Sequence, residues 1–414
     1  MKNAVIVEAC RTAVGSFGGT LRPCSALDLA CAVLKGCIDR SGIDPKEIDE
    51  VIMGHCRQTS DEPNIARVAA LKVGIPEETS AQTVMRQCAS GMTAIQTGAM
   101  QIMCGISDVV LAGGAESMSN AVFYVRNARW GVGTGTTQFV DALTEVQFKA
   151  QPEDIYGSYN MGATAENIAE QLGITRQEQD EFAFESQQKA IAAIDAGRFK
   201  DEIVPVTVPQ GRKKPPIIFD TDEFPRRDTN LEKMAKLKPC FNIKHDEEGR
   251  LLNDSALTGT VTAASSSGRN DGASAVLLMS EEKAQELGLK PIARIIGMGT
   301  AGNDPRLMGL GPVGAVPKAL KNAGLTDDDI QLIELNEAFA AQSIGCIRLL
   351  GWENKKDIIN VNGGAIALGH PVGSSGSRII VTLIHEMKKR GLKYGLATLC
   401  IAGGMGQATV IEML

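Results

Sequence analysis

The chain has 414 residues, of which 43% are hydrophobic, enough to bury the cores of two or three domains. Its formal net charge is −7 and its basic residues are spread along the sequence, so there is no footprint for nucleic acid or an anionic membrane. No stretch approaches the ~18 consecutive apolar residues of a membrane span, and residues 1–7 begin as a strand, so we expect a soluble, cytoplasmic protein.

The segments 42–54 and 324–336 share one pattern, which consists of a helix-ending glycine, an acidic loop and a buried strand. Each segment follows a predicted helix, over 27–39 and 316–323, and each half opens on a predicted strand, over 4–8 and 291–296. Each half is also predicted to close on a strand that runs into Ala-Gly-Gly, at 112–114 and 402–404. We expect a layered α/β architecture of two similar halves, with a shared site where their glycine-rich turns approach one another.

The stretch between the halves, about 119–254, lacks this alternation of strand and helix. It contains helix patterns over 163–172 and 175–196 and a proline-rich segment over 205–239. We interpret it as an inserted loop domain, and we expect 260–280 to return as a strand to the first half. The predicted domains are therefore 1–118 with 255–280, then 119–254, then 281–414.

Cys88 lies between a strand pattern over 83–85 and a helix pattern over 92–103. Unpaired N–H groups at a helix N-terminus favour a thiolate, so this position predicts a nucleophile. A structural cysteine buried at a tight turn explains the same pattern equally well until a base is found. The ten cysteines form no C-x-x-C pair, so we expect free thiols and no zinc or other metal site.

Four histidines limit the choice of that base. His385 is predicted on a solvated helix face, His245 lies in an acidic loop, and His55 follows a strand and fits either role. His370 lies in the glycine-rich loop 362–376 before a helix, where small neighbours leave room for a ligand. We therefore select His370 as the functional histidine.

Two further candidates follow strands of the second half. Cys400 ends a strand predicted over 395–399 and enters the turn 401–406, whose backbone N–H groups form a candidate anion site. Asn336 ends the equivalent earlier strand, in Asn-Glu-Ala-Phe. By contrast, 297–302 fits G-x-G-x-x-G, but more glycine and proline follow, so no helix N-terminus is available for a dinucleotide.

These segments together resemble the thiolases, the family of acetyl-CoA acetyltransferases and 3-ketoacyl-CoA thiolases, over essentially the whole chain. The motifs are short but their joint order is specific: 8–15, 88–91, 112–119, 234–239, 270–273, 336–339, 369–371 and 400–404. The resemblance implies a thiolase fold with a duplicated five-layer αβαβα core and an inserted loop domain that binds CoA. It also implies an acyltransferase that cleaves a 3-ketoacyl-CoA with CoA, or runs the reverse Claisen condensation, as a homodimer or homotetramer.

The resemblance assigns roles to the selected residues. It implies that Cys88 carries the acyl group as a thioester, that His370 accepts its proton, and that Cys400 moves a proton at the α-carbon of acetyl-CoA. One oxyanion site is expected from His370 with a water held by Asn336. The other is expected from the backbone N–H groups of Cys88 and Ala402.

The resemblance also implies where the substrate lies. CoA, a substrate rather than a permanent cofactor, is expected over the inserted domain with Arg226 near its phosphates and Ser267 along its pantetheine. The alternative for both Arg226 and Ser267 is that they are ordinary surface residues. Met161, Phe339 and Asn160 are expected at the acyl pocket. The alternative is that Met161 and Phe339 are simply part of the core.

Four positions depart from the family pattern. Met85 and Ser265 stand in place of asparagine, Asn160 in place of histidine, and Ala402 in place of glycine. Ala402 keeps its N–H, whereas Met85 and Asn160 leave the acyl preference open. A ketosynthase is disfavoured because it pairs one cysteine with two histidines or with histidine and asparagine. The alternative, a thiolase-like subunit that binds CoA esters without turnover, is motivated by the four departures.

Overall fold

The structure is a computed structural model, which describes residues 2–211, 213–241 and 259–414. Strands and helices alternate through both halves of the chain. The strands are β1 (Ala4–Thr12), β2 (Gly15–Ser16), β3 (Glu50–Gly54), β4 (Ser80–Val84), β5 (Val109–Ser117), β6 (Phe123–Tyr124), β7 (Val140–Asp141), β8 (Ile203–Val204), β9 (Val206–Val208), β10 (Ile217–Phe219), β11 (Asn270–Ser280), β12 (Ala293–Gly302), β13 (Leu332–Leu335), β14 (Tyr394–Ile401) and β15 (Met405–Met413). The helices are α1 (Ala26–Ser41), α2 (Ile65–Lys72), α3 (Ser90–Met103), α4 (Ala142–Phe148), α5 (Glu153–Tyr156), α6 (Met161–Gln171), α7 (Arg176–Asp195), α8 (Leu231–Ala235), α9 (Glu281–Glu286), α10 (Gly311–Ala323), α11 (Ala340–Leu349), α12 (Ala365–Leu368) and α13 (Val372–Arg390). Within the described ranges, no helix is both long enough and apolar enough to cross a membrane.

The main strands form two half-sheets with the same order of neighbours. The first is β4-β3-β5-β11-β1 and the second is β13-β14-β15-β12. In the second half, the position equivalent to β4 is occupied by Ile359, which forms a parallel bridge with Ile333 of β13. In each half the equivalent parallel pairs, β3-β5 and β13-β14, are followed by two antiparallel pairs. This repetition confirms the predicted duplication, and an antiparallel pairing of β1 with β12 joins the half-sheets.

Helices α1 and α10 end in the same way, as their shared pattern predicts. Gly42 has a φ of 72° and Gly324 a φ of 69°, and both lie in the left-handed region that glycine adopts without strain. Their beginnings differ. Helix α1 starts after a capping box of Ser25 and Asp28, whereas α10 starts at Gly311, earlier than the predicted 316, with Pro312 in its first turn.

Three hydrophobic cores lie between five layers of secondary structure. Strand β11 illustrates the alternation, because Ala275 and Leu277 face the outer core beneath α1, whereas Val276 and Leu278 face the central core around α3 and α13. A third core packs α10 and α11 on the second half-sheet. The two central helices are buried on nearly every side, which requires the small residues that the composition supplies. The predicted αβαβα architecture is confirmed.

The register of the half-sheets corrects one predicted correspondence. Gly113 and Gly114 lie inside β5, where they pair with β3, rather than in a turn after the strand. Strand β13 pairs with residues 395–398 of β14, so the equivalent of 112–114 lies inside β14 and not at 402–404. A three-residue match of small side chains carries too little information to set a register, which the hydrogen bonds of the whole strand determine.

Two strand predictions also change in length. Strand β12 extends to Gly302, so the G-x-G-x-x-G sequence lies inside an extended strand paired with β15 and not in a phosphate-binding turn. Strand β11 begins at Asn270, ten residues after the predicted start at 260.

The region between the halves contains helices α4 to α8 and only short strands, including the two-stranded sheets β6-β7 and β9-β10. Strand β8 pairs in parallel with β1, which ties this region to the first half. The predicted boundary between residues 254 and 255 lies outside the described residues. The three-domain division therefore stays a prediction.

Candidate active site

Cys88 lies in a strained turn between β4 and α3. The preceding residue, Gln87, has a φ of 45°, a left-handed conformation that costs energy in a residue with a side chain. The Ser90 hydroxyl stabilises this turn, because it donates to the Gln87 carbonyl at 2.7 Å and accepts the Arg86 N–H at 2.9 Å. The turn places Cys88 at the N-terminal end of α3.

The N-terminal ends of α3 and α13 are in contact. A Cβ added at Gly91 would lie 2.9 Å from the backbone nitrogen of Ser377 and 3.0 Å from the carbonyl oxygen of Gly373, so only glycine permits this approach. Cys88 lies two residues before the start of α3, and His370 lies two residues before the start of α13. The contact therefore brings together the two helix ends that carry the predicted nucleophile and base.

The ring of His370 is buried and held in one orientation. The Ser375 hydroxyl donates to the Pro371 carbonyl at 2.9 Å, so its oxygen accepts from Nδ1–H of His370 at 2.6 Å. This arrangement leaves Nε2 with a free lone pair. Burial, with the charge of Arg378 as the next cause, lowers the pKa of His370 to about 4, so the ring is neutral at neutral pH.

The Cys88 thiol is not a ready thiolate. Burial raises its pKa above the ordinary value, while the N–H of Ala402, the charge of Arg57 and its own N–H act in the opposite direction. This direction is opposite to the one predicted from the helix position, because desolvation disfavours the charged thiolate. The thiol therefore needs a base, and the N–H groups of Cys88 and Ala402 both reach its sulfur.

Cys400 is buried near the end of β14, where it pairs with Gly406 of β15. Burial raises the pKa of its thiol well above the ordinary value, and the charge of an ionised Cys88 raises it further. That interaction shows that the two cysteines lie in one site although a long stretch of sequence separates them.

An apolar cluster packs around Cys400. It includes Met161 of α6 and Phe339 at the start of α11, which were predicted for the acyl pocket, and Met308, which was not. The Phe241 ring meets Phe339 edge to face, with centroids 6.1 Å apart. No sequence motif points to Met308, because only the tertiary structure brings the turn before α10 against this cluster.

Asn160 lies beside Met161 but has a structural task. Its side-chain oxygen accepts the Ala163 N–H at 3.0 Å and caps α6. Of the other departures from the family pattern, Met85 is 55% exposed just after β4, and Ser265 is buried with its hydroxyl accepting the Thr262 N–H at 2.9 Å.

Asn336 follows β13 and is fully buried. Its backbone N–H donates to the Thr398 carbonyl at 3.0 Å, which fixes it beside β14. Neither atom of its side-chain amide makes a hydrogen bond with any described residue. A buried amide without a protein partner is rare, and it is typical of a position that holds water or ligand.

Arg226 and Ser267 line one open cleft, which has a volume of about 780 Å³. The Ser267 N–H donates to the Ala338 carbonyl at 2.9 Å, and Ser266 forms a bridge with Phe339. The wall of the cleft that contains Ser267 is thus continuous with the apolar cluster around Cys400. The Arg226 guanidinium lies 6.0 Å from the centre of the Phe224 ring, which also lines the cleft.

Comparison with known proteins decides the family. Residues 4–282 match the family model described as "Thiolase, N-terminal domain", and residues 289–413 match "Thiolase, C-terminal domain". The chain belongs to the thiolase family. The resemblance inferred from the short motifs is confirmed.

Individual thiolases match over the full length of the chain. An acetyl-CoA acetyltransferase of Syntrophomonas wolfei is 50% identical over 413 residues, which are 100% of both chains, and one of Chromobacterium violaceum is 49% identical over 98% of each. The structure of the Bacillus anthracis acetyl-CoA acetyltransferase superimposes with a TM-score of 0.92 at 45% identity, over 100% of this chain and 99% of that one. Human mitochondrial 3-ketoacyl-CoA thiolase in complex with CoA superimposes with a TM-score of 0.90 at 40% identity, over 100% and 98%.

These similarities confirm the predicted enzyme class. The thiolase described here is an acyltransferase, and the alternative of a binding subunit without turnover is not favoured. The G-x-G-x-x-G sequence at 297–302 is not a dinucleotide-binding turn, since it lies within β12.

The sequence analysis missed a buried ion pair next to the active site of this thiolase. Nδ1 of His55 lies 3.0 Å from Glu116 Oε1, and Glu116 Oε2 accepts the Gly373 N–H at 2.9 Å. Although burial opposes both charges, their pairing raises the pKa of His55 and lowers the pKa of Glu116. The pair fastens the loop after β3 to the start of α13. Glu116 stood in a recognised motif, but nothing in the sequence paired it with His55.

His385 takes no part in the site. His385 is half-buried rather than solvated, because its Nε2 donates to the Ala9 carbonyl at 2.8 Å. His245 lies outside the described residues.

Proposed function

We propose that this thiolase cleaves a 3-ketoacyl-CoA to acetyl-CoA and a shortened acyl-CoA, or runs the reverse condensation, through an acyl group on Cys88. The observation that supports the proposal is the contact between the N-terminal ends of α3 and α13, which carry Cys88 and His370, together with the electrostatic interaction between Cys88 and Cys400. Cys88, His370 and Cys400 come from distant parts of the chain, so a purely structural role would not require this convergence.

The first step forms the acyl-enzyme. His370 takes the proton of Cys88, and the thiolate attacks the C3 carbonyl carbon of the substrate. The C2–C3 bond breaks and its electron pair stays on C2, where Cys400 supplies a proton. Acetyl-CoA leaves, and the remaining acyl group is held as a thioester on Cys88.

The second step transfers the acyl group to CoA. The CoA thiol gives its proton to Cys400, and the resulting thiolate attacks the Cys88 thioester. Cys88 leaves as a thiolate and recovers its proton from His370. Both thiols and the imidazole return to their starting states, so the cycle balances.

The acid–base state of the site supports this division of roles. A pKa of about 4 leaves Nε2 of His370 unprotonated at neutral pH, so its lone pair can take the thiol proton as the Cys88 sulfur attacks the carbonyl. A raised pKa keeps the Cys400 thiol protonated until a carbanion forms beside it. A group that must give a proton to carbon is effective only while it still holds that proton.

Two sets of donors are available for the negative charge on oxygen. The free amide of buried Asn336 supports its proposed task of holding a water next to His370. The convergence of the Cys88 and Ala402 N–H groups on one sulfur supports their proposed task at the acyl-enzyme. Alanine in place of glycine at 402 keeps the N–H on which this task depends.

The proposed binding regions follow from the open space. The cleft lined by Arg226 and Ser267 leads to the apolar cluster, which supports CoA in the cleft with its thioester end directed inward. Met161 and Phe339 are proposed walls of the acyl pocket, as is Met308. Asn160 is proposed there only as the cap that positions Met161.

The acyl-enzyme is the direct test. The wild-type protein is mixed with a panel of 3-ketoacyl-CoA esters and free CoA, stopped early and analysed by peptide mass spectrometry. We expect an acyl adduct on Cys88 and release of a shortened acyl-CoA. Cys88→Ala should lose both, whereas Cys104→Ala, which changes an exposed cysteine outside the site, should keep both. Normal turnover by Cys88→Ala would rule out the proposal.

We also propose that the thiolase is a cytoplasmic homodimer or homotetramer. Free cysteines throughout the described chain are typical of a reducing compartment. Large apolar side chains lie exposed in the segment 123–139, with Trp130 91% and Phe139 75% exposed, which supports burial against another copy. Light scattering should give a mass of two or four chains, and a monomer at micromolar concentration would contradict the assembly.

A further inference from the structure

Arg57 forms no ion pair with an acidic group of the described chain, although its positive charge helps to lower the pKa of nearby Glu116. It lies in the loop after β3, where its backbone N–H donates to Glu116 Oε1 at 3.0 Å and fixes its position. Its Nε atom is buried, and its guanidinium makes no hydrogen bond or ion pair with any described residue. A guanidinium whose buried Nε–H has no protein partner is unusual, because desolvation of a donor is costly without a partner.

The buried carboxylate of Glu116 does not serve as that partner. Its Oε1 already lies at 3.0 Å from both the Arg57 backbone nitrogen and His55 Nδ1. Its Oε2 accepts the N–H groups of Cys56 at 3.2 Å and Gly373 at 2.9 Å. Three backbone N–H groups and the His55 ring thus surround this carboxylate, while Nδ1 of His55 also lies 2.9 Å from the Ala115 carbonyl oxygen. The side chain of Arg57 is therefore left available to a ligand.

Arg57 lines a cleft with a volume of about 410 Å³, and part of the wall that it faces is apolar, with Val122, Ala142 and Val146. Such a wall suits the methylene groups of a ligand whose charged end contacts Arg57.

The other charges of this cleft are already paired. Arg126 lies 2.6 Å from Glu145, and Lys149 is paired with Glu153 outside the cleft. Within the described chain, Arg57 is thus the cation of this cleft that lacks an acidic partner.

The cleft adjoins the nucleophile on a side that the proposed CoA cleft does not use. Cys56, which also lines the smaller cleft, packs with Cys88 in one apolar cluster that includes Met118, Leu143 and Val372. The two clefts share no lining residue. With CoA in the large cleft and the first acyl carbons against Met161, Phe339 and Met308, the far end of a longer chain has space in the small cleft, which Cys56 connects to Cys88.

We propose that Arg57 is a specificity-determining residue that binds a carboxylate at the far end of the acyl chain. The preferred substrates are then CoA monothioesters of 3-keto dicarboxylic acids. This inference rests on the proposed function and names its substrate class. A guanidinium binds a carboxylate through two parallel hydrogen bonds, a geometry that a methyl-ended chain cannot replace. A neutral chain would leave the Arg57 donors unpaired, which is the basis of strong discrimination.

The test compares two substrates of equal chain length. One is the CoA thioester of a six-carbon 3-keto acid that ends in a methyl group, and the other ends in a carboxylate. We expect the wild-type enzyme to cleave the carboxylate-ended substrate with a kcat/KM about 10- to 100-fold higher, the range that a hydrogen-bonded charge supplies. Equal kcat/KM values, or a preference for the methyl end, would overturn the proposal without any variant.

Three variants assign the preference to Arg57. Arg57→Met should remove it by lowering kcat/KM for the carboxylate-ended substrate alone, and Arg57→Lys should restore it in part. Arg22→Met, an exposed arginine outside both clefts, should leave it unchanged. An equal loss with both substrates would overturn the proposal, since Arg57 would then act on the active site itself. A raised KM for CoA would overturn it too, because the cleft would then hold a CoA phosphate.

The two proposals fail in different ways. If the wild-type enzyme forms no acyl adduct with any ester of the 3-ketoacyl-CoA panel, the proposed function fails. If it cleaves both equally, the function stands and only the role of Arg57 fails.

Discussion

Replacing Gly91 with alanine should separate the two helices that carry Cys88 and His370. The new Cβ would lie 2.9 Å from the Ser377 nitrogen and 3.0 Å from the Gly373 oxygen, whereas ordinary contact begins at 3.4 Å. Both are backbone atoms that cannot rotate away, so α13 must shift by about 0.5 Å. Overpacking of this kind costs ~1–3 kcal/mol of stability. Since a ~1 Å misplacement at an active site costs ~100-fold in rate, half of that shift should lower kcat by about tenfold.

Gly98→Ala is the matched control for this prediction. It changes the same helix, but its Cβ would press on the side chains of Val110 at 2.8 Å and Leu278 at 3.1 Å, which belong to the first half-sheet and not to α13. The assay measures kcat, KM and the melting temperature of both variants. We expect both to melt earlier and only Gly91→Ala to lose kcat. Full kcat in Gly91→Ala, or an equal loss of kcat in both, would refute the idea that this helix contact sets the distance between the catalytic groups.

Three further predictions concern buried polar groups. Ser375→Ala should lower kcat about 10- to 100-fold with little change in KM, because His370 loses the acceptor at 2.6 Å that keeps the proton on Nδ1; steady-state kinetics and melting measure this, and an unchanged kcat would contradict it. Asn336→Ala should slow turnover ~100- to 1000-fold if its amide holds an oxyanion water, and single-turnover kinetics with the wild type as reference would expose a smaller role. Burial raises the pKa of Glu334 to about 8, while Arg378 opposes the shift, so between pH 4.5 and 8 the folded state keeps a proton that the unfolded state has released. Stability should therefore fall by up to about 1.4 kcal/mol per pH unit as the pH rises through this range. Thermal melts should show that Glu334→Gln removes this slope, and parallel slopes in the two proteins would contradict the assignment.

The duplication could be predicted because each half repeats a local pattern. Gly42 and Gly324 mark the same left-handed helix end, and the buried strands after them are short apolar runs that any reader of the sequence can align. The register of the half-sheets could not be predicted in this way. Gly113 and Gly114 look like a turn but lie inside β5, because pairing with both β3 and β11 decides where that strand ends.

For the candidate site, too, the sequence identified what depends on local motifs but not what depends on tertiary contacts. Cys88, His370, Cys400 and Asn336 stand in short motifs with characteristic neighbours, so the sequence was enough to select them. The ionisation states of these groups could not be predicted from the sequence. Helix position predicted a thiolate at Cys88, yet burial raises the pKa of that thiol, and only the packing of α3 against α13 determines how much water is excluded.

By itself, the sequence determined which family this chain belongs to, that it consists of two similar halves, and which side chains are candidates for the chemistry. These follow from local patterns and short motifs, which do not depend on distant contacts. Only the tertiary structure decided that His55 pairs with Glu116, that Met308 joins the apolar cluster, and that Arg57 is left without an acidic partner. The physical reason is that burial, pairing and charge compensation depend on which distant segments meet in space.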